Sequence, residues 1–108
     1  MLPDSKVAPL IRLQIPEMTF QTGLDISKVI HSFADYTGCL IRNEQLSEVK
    51  RCFTVAGVLY RNGSNVLRNA IENAFLYPLS PFLCSKHVAL LPLSLKHIRI
   101  QQLQTIAI

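Results

Sequence analysis

Apolar residues recur at three- and four-residue steps through most of this chain. From 26 to 35, Ile26, Val29, Ile30, Phe33 and Ala34 keep that step, while Lys28, Ser32 and Asp35 fall between them. Such spacing gathers one oily side on an α-helix. Asp25 precedes the run and suits an N-cap, where a carboxylate meets unpaired amides and the positive helix end. Gly38 either caps this helix or lies inside it, and Leu40 and Ile41 allow continuation or a short strand.

Residues 46–60 decide the fold. As a helix, Leu46, Val49, Phe53, Ala56 and Tyr60 form one stripe, widened by Cys52 and Leu59. Ser47, Glu48, Lys50, Arg51 and Thr54 then face away, and Glu48 can pair with Arg51 three positions on. As a strand, 53–60 is β-rich, but both faces would be apolar with Gly57 in the middle. The helix accounts for the polar residues and is favoured. Gly63 stands where a helix takes a left-handed C-terminal residue, and Ser64 is placed to cap the next one. Val66, Leu67, Ala70, Ile71, Ala74 and Phe75 line one side of that helix, opposite Asn65, Arg68, Asn69, Glu72 and Asn73. An αα-hairpin over 46–75 follows. Asn62-Gly63 is also a strand-hairpin signal, but no alternation comes after it.

The flanks are less regular. A short helix is expected over 8–15, stopped by Pro16. Pro78 and Pro81 should end the 65–75 helix. Residues 85–86 read as a turn. A last helix should begin near Ser94, with Leu95, Ile98 and Leu103 inward and the apolar tail 105–108 docked on the body. The expected fold is all-α: a single-domain bundle of four or five helices around a central αα-hairpin, with Phe33, Phe53, Ile71 and Phe75 in its core.

Composition narrows the function classes. The chain has 108 residues, 49% of them hydrophobic and 17% charged, which excludes disorder. It lacks the long apolar run of a membrane span. Polar residues and Pro9 interrupt any signal-peptide core near the start, so the cytoplasm is expected, or the periplasm if a leader preceded residue 1. The net charge is +4, and beyond Pro78 Lys86, Lys96 and Arg99 stand without any acid. Three cations fall short of a nucleic-acid tract.

Few residues promise chemistry. Cys39, Cys52 and Cys84 are too irregularly spaced for a disulfide framework and read as reduced, buried thiols. Cys84 and His87 have C-x-x-H spacing, yet Cys39, Cys52, His31 and His97 supply no second ligand pair, so the expected reading is a core thiol beside a surface histidine. The same pair is the best placed of the possible Cys–His dyads, none of which carries a local signature. Glu44 and Glu48 could share a helix face. Glycines 23, 38, 57 and 63 are scattered singly, so no phosphate loop forms. Asn65, Arg68 and Asn69 could face a DNA groove, though without a basic arm. The remaining feature is the apolar segment Leu76, Tyr77, Leu79, Phe82 and Leu83 around two prolines. No regular helix aligns these side chains, so some should stay exposed and could meet a partner.

Two resemblances add to this reading. Lys50-Arg-Cys-Phe53, Leu59-Tyr-Arg-Asn-Gly63, Asn69-Ala-Ile-Glu-Asn-Ala-Phe75 and Tyr77, with Leu91-Pro92, Leu95-Lys96 and Gln101 or Gln102, resemble a family of small bacterial proteins of about 110 residues known only as a domain of unknown function. The resemblance spans 24–104. It implies an all-helical fold and brings no catalytic residues. Segments 25–38, 53–60, 66–75 and 87–93 also resemble the short N-terminal domain of secretins and TonB-dependent receptors, shared with FecR-type regulators. That family implies an α+β fold, βαββαβ, and periplasmic docking of protein partners. The polar stretch 43–51 departs from it.

The function expected from these observations is a non-enzymatic protein-interaction module, regulator- or immunity-like. It would use Leu76, Tyr77, Leu79, Phe82 and Leu83 to bind a protein partner or a second copy of itself, with no cofactor and no metal. A weak DNA-binding regulator is the alternative from another class.

Overall fold

The computed structural model describes residues 3–18 and 25–106, with side chains for all of these except Asp4 and 103–106. A 3₁₀ turn, Asp4–Lys6, leads into α1 (Val7–Gln14). Pro16 follows directly, and the last α1 carbonyl pairing is Ile15 N–H to Ile11 O at 2.8 Å. Val7, Ile11 and Ile15 bury one side of this short helix.

α2 (Ile26–Arg42) starts where Asp25 accepts the Lys28 N–H through its carboxylate at 2.9 Å. Gly38 lies inside the helix, and Leu40 and Ile41 continue it. α3 (Leu46–Asn62) takes up the residues that could have formed a strand. Among the described residues there is no strand element, so the βαββαβ alternative falls. The physical reason is the one legible at 47–54: only a helix turns those polar side chains outward while burying Val49, Cys52, Phe53, Ala56 and Leu59.

Gly63 departs from expectation. Its backbone is extended, φ −91° and ψ 166°, rather than left-handed. Space, not handedness, calls for glycine: a Cβ here would lie 2.4 Å from Leu67 Cδ2 and 2.7 Å from the Leu59 carbonyl oxygen. α4 (Asn65–Ala70) is capped by Ser64, whose hydroxyl accepts the Leu67 N–H at 3.2 Å. Val66, expected inward, is 56% exposed.

The helical run does not stop at Phe75. Ile71–Leu76 widens into a π-helix, in which the Tyr77 N–H reaches back five residues to the Glu72 carbonyl. One α turn, α5 (Tyr77–Leu79), and a 3₁₀ turn, Ser80–Phe82, complete it. Pro78 and Pro81 were expected to end the element. Instead each sits in the first turn of a new helical type, where its missing N–H is tolerated. The Ser80 hydroxyl donates to the Leu76 carbonyl at 2.9 Å, occupying an acceptor just upstream of Pro81.

α6 (Ser85–Val88) replaces the expected turn, and α7 (Leu93–Ile106) is the last helix. Leu95 is fully buried and Ile98 packs at the core's edge. The inward placement of Leu103 and the docking of the tail 105–108 lie outside the described residues. Three elements meet at the core's centre. Phe33 of α2 lies 4.9 Å from Phe75 of the π segment, centroid to centroid, and Phe53 of α3 stands edge-on to Phe75 at 6.4 Å. All three rings and Ile71 are fully buried.

Candidate functional site

The apolar segment after Phe75 is divided by the change of helical pitch. Leu76, Leu79 and Leu83 turn into the core, whereas Tyr77 is 52% and Phe82 58% exposed. On a uniform α-helix, which advances about 100° per residue, Leu76 would lie roughly 140° around the axis from Ile71. The π segment adds a residue to the turn and brings them inward. The two aromatic rings left outside belong to a backbone pinned on its other side. No charged residue occurs from 73 to 85.

A second cluster forms at the start of α6, and here the structure corrects the sequence reading. Cys84 is exposed and His87 is 3% exposed, the reverse of a core thiol beside a surface histidine. The pair builds a capping box. His87 Nδ1 accepts the Cys84 N–H at 3.1 Å and lies 3.2 Å from Cys84 Sγ. These are the places that serine and glutamate take in the usual S-x-x-E box, so C-x-x-H spacing here caps a helix turn. Because Nδ1 accepts a backbone N–H, the ring proton of the neutral imidazole resides on Nε2. That Nε2 is buried without a hydrogen-bond partner.

Glu44 fastens this corner to the α2–α3 connection. It adopts φ 58°, uncommon for a residue with a Cβ, and its carboxylate pairs with Lys86 Nζ. The hydrogen bond from Lys86 holds the Glu44 carboxyl below its usual range, and the same bond raises Lys86. Glu44 and Glu48 therefore do not share a helix face. Glu48 pairs with Arg51 at 3.3 Å instead, as the three-residue spacing indicated.

The other thiols differ from one another. Cys39 is exposed, against expectation, and its Sγ accepts from Arg42 Nη2 at 3.2 Å. Cys52 is fully buried, and desolvation pushes its thiol up to about 11. On the proposed DNA-facing side, Asn65 and Asn69 are exposed, but the Arg68 guanidinium lies 4.9 Å above the Tyr60 ring. The Tyr60 hydroxyl donates to Glu72 at 3.0 Å; burial first, and then this bond, raises its pKa. Arg68 is thus committed to a cation–π contact and is not presented alone to solvent. Gln102 Nε2 donates to the Glu72 carbonyl at 2.9 Å and ties α7 to the π segment. Among the described residues no three His, Cys, Asp or Glu side chains converge on one point, and no helix is long and apolar enough to cross a membrane.

Comparison with known protein families places most of the chain in one of them. Residues 8–106 fit the family described as Domain of unknown function (DUF7674). The chain belongs to this family. The match takes in α1 as well as the hairpin, the π segment and α7. No curated protein and no solved structure matches the chain.

Two members of the candidate sites escaped the sequence reading. The Glu44–Lys86 pair joins residues 42 positions apart and leaves no local signal. The Cys84–His87 box could have been found from its i,i+3 spacing, had cysteine and histidine been weighed as capping residues.

Proposed function

We propose that the chain is a non-enzymatic protein-interaction module, regulator- or immunity-like, that docks a protein partner through Tyr77 and Phe82. One observation carries the reading: two aromatic rings stand out from a segment whose Leu76, Leu79 and Leu83 are buried. Aromatic side chains on rigid backbone bring large contact area at little entropic cost, and they dominate binding hot spots. Pro78 and Pro81 reduce further the freedom lost on docking. The uncharged run from 73 to 85 calls for an apolar acceptor patch rather than a charged one. A second copy of the chain is one protein that could supply such a patch. The exposed, unbridged thiols Cys39 and Cys84 favour a reducing compartment, hence the cytoplasm.

The test compares unaltered protein with Phe82→Glu and, as a control for charge on an exposed apolar site elsewhere, Val66→Glu. Sedimentation equilibrium reads self-association, and quantitative affinity capture reads other partners. The reading expects a complex that Phe82→Glu abolishes and Val66→Glu keeps, with thermal stability unchanged in both. Identical complexes in all three proteins remove this surface as the docking site.

A further inference from the structure

We infer that residues 84–91 form a strap that opens separately from the helical core, and that the Glu44–Lys86 ion pair is the latch that holds it closed. The latch begins with an unusual choice of residue. α2 ends in a Schellman motif: the Gln45 N–H donates to the Leu40 carbonyl at 3.0 Å and the Glu44 N–H to the Ile41 carbonyl at 3.2 Å. Position 44 is the left-handed residue of that motif, with φ 58°, and glycine is its usual occupant. Glutamate puts a Cβ on backbone that disfavours one. What it supplies in return is a carboxylate, and that carboxylate pairs with Lys86 Nζ in the strap.

An exposed ion pair contributes little to the stability of a whole domain. A short strap is a smaller thing to hold. α6 is four residues long, and its first turn is capped by a thiol and an imidazole rather than by the stronger serine, asparagine or aspartate. The N–H groups of Val88, Ala89, Leu90 and Leu91 donate to carbonyls of Cys84, Ser85, His87 and Val88 at 3.0–3.1 Å. These bonds tie the strap to itself and survive its lifting. Its ties to the rest of the chain are the buried side chains of His87 and Leu91 and the Glu44–Lys86 pair. By contrast, Glu48 and Arg51 pair within one helix and join no two segments.

Closure also leaves a polar atom unmatched. His87 Nε2 is buried without a hydrogen-bond partner, and lifting the strap would return it to water. Two unfavourable features therefore meet at one corner: a side chain on left-handed backbone and an orphaned imidazole nitrogen. Costs of this kind gather where a segment has two arrangements. Opening uncovers His87 and Leu91 and frees the chain that follows Phe82. That the strap thereby sets the border of a docking surface rests on the function proposed above; the strap itself does not.

Amide hydrogen exchange of the full chain, followed by NMR where rates report the opening equilibrium, tests this without any partner. Val88, Ala89, Leu90 and Leu91 should exchange about a hundredfold or more faster than Val55 and Ala56 in α3. Glu44→Gln should speed the four strap amides at least about threefold and leave Val55 and Ala56 unchanged. Salt at about 0.5 M should do the same to the unaltered chain, but add nothing in Glu44→Gln. Glu44→Gly relieves the left-handed backbone yet cuts the latch, so Tm should hold or rise while the strap amides still speed up. The inference is overturned if the strap is protected as strongly as α3, if Glu44→Gln or Glu44→Gly fails to speed it, or if either variant speeds Val55 and Ala56 as much.

Discussion

Gly38 and Gly57 both lie inside long helices, and replacing each with alanine makes the same chemical change in two different surroundings. In a helix interior the change gains about 0.5–1 kcal/mol, because alanine loses less backbone freedom on folding. A Cβ on Gly38 would rest 3.5 Å from Leu79 Cδ2 and 3.7 Å from Arg42 Nη1, which is ordinary contact. A Cβ on Gly57 would stand 2.7 Å from Pro92 Cγ and 3.1 Å from Pro92 Cβ, on a ring that cannot swing aside. Overpacking of that kind costs about 1–3 kcal/mol. The propensity gain is common to both and cancels in the comparison. Gly38→Ala should therefore stabilise by about 0.5–1 kcal/mol and Gly57→Ala destabilise by about 1–2 kcal/mol. For a chain of this length each kcal/mol moves Tm by about 4–5 °C, so the two variants should part by roughly 10 °C. Urea unfolding followed by circular dichroism gives the free energies directly. Adding Pro92→Ala to Gly57→Ala removes the closest atom and should recover part of the loss, a non-additive result expected of touching residues. Equal stability of the two single variants would refute the close approach of α3 to the start of α7.

Phe75→Ala should cost about 3–5 kcal/mol, since the ring is fully buried and touches Phe33 and Phe53, whereas Phe82→Ala on the surface should stay within about 0.5 kcal/mol; chemical denaturation of both checks the difference. The Glu44 carboxyl, held low by Lys86, should titrate below the ordinary glutamate range in an NMR pH series and move upward in Lys86→Met. The sign follows from the depressed value: its stabilising effect is present above the unfolded pKa and is lost as pH falls through the folded one. Because Lys86 is raised, its share is present below its unfolded pKa and lost as pH rises through the folded one.

The hairpin was readable because its residues obey one period. Phe53 and Tyr60 in α3, and Leu67 and Ile71 after Ser64, repeat at helical steps, and the caps at Asp25 and Ser64 mark where the runs begin. The all-α fold and the burial of Phe33, Phe53, Ile71 and Phe75 follow from that. Leu76 and Leu79 were not assignable, because a π turn shifts the inward positions by one residue and no period in the sequence announces it. Pro78 carries a strong helix-ending signal on its own; only the change of helical type makes room for it. Gly63 misled for a related reason: crowding by Leu59 and Leu67 and a left-handed turn both demand glycine. At the α6 corner, sequence gave the spacing of Cys84 and His87 but not which of them faces water, since that depends on how 83–91 folds back over the core.

Segment 76–83 is fixed to the core through Leu76, Leu79 and Leu83 and presents Tyr77 and Phe82 outward. Solvent paramagnetic relaxation, measured by NMR on monomeric protein with a soluble agent, tests this arrangement residue by residue. The ring signals of Tyr77 and Phe82 should broaden strongly while the methyl signals of Leu76, Leu79 and Leu83 are spared. Broadened leucine methyls with protected rings, or uniform broadening across 76–83, would contradict it.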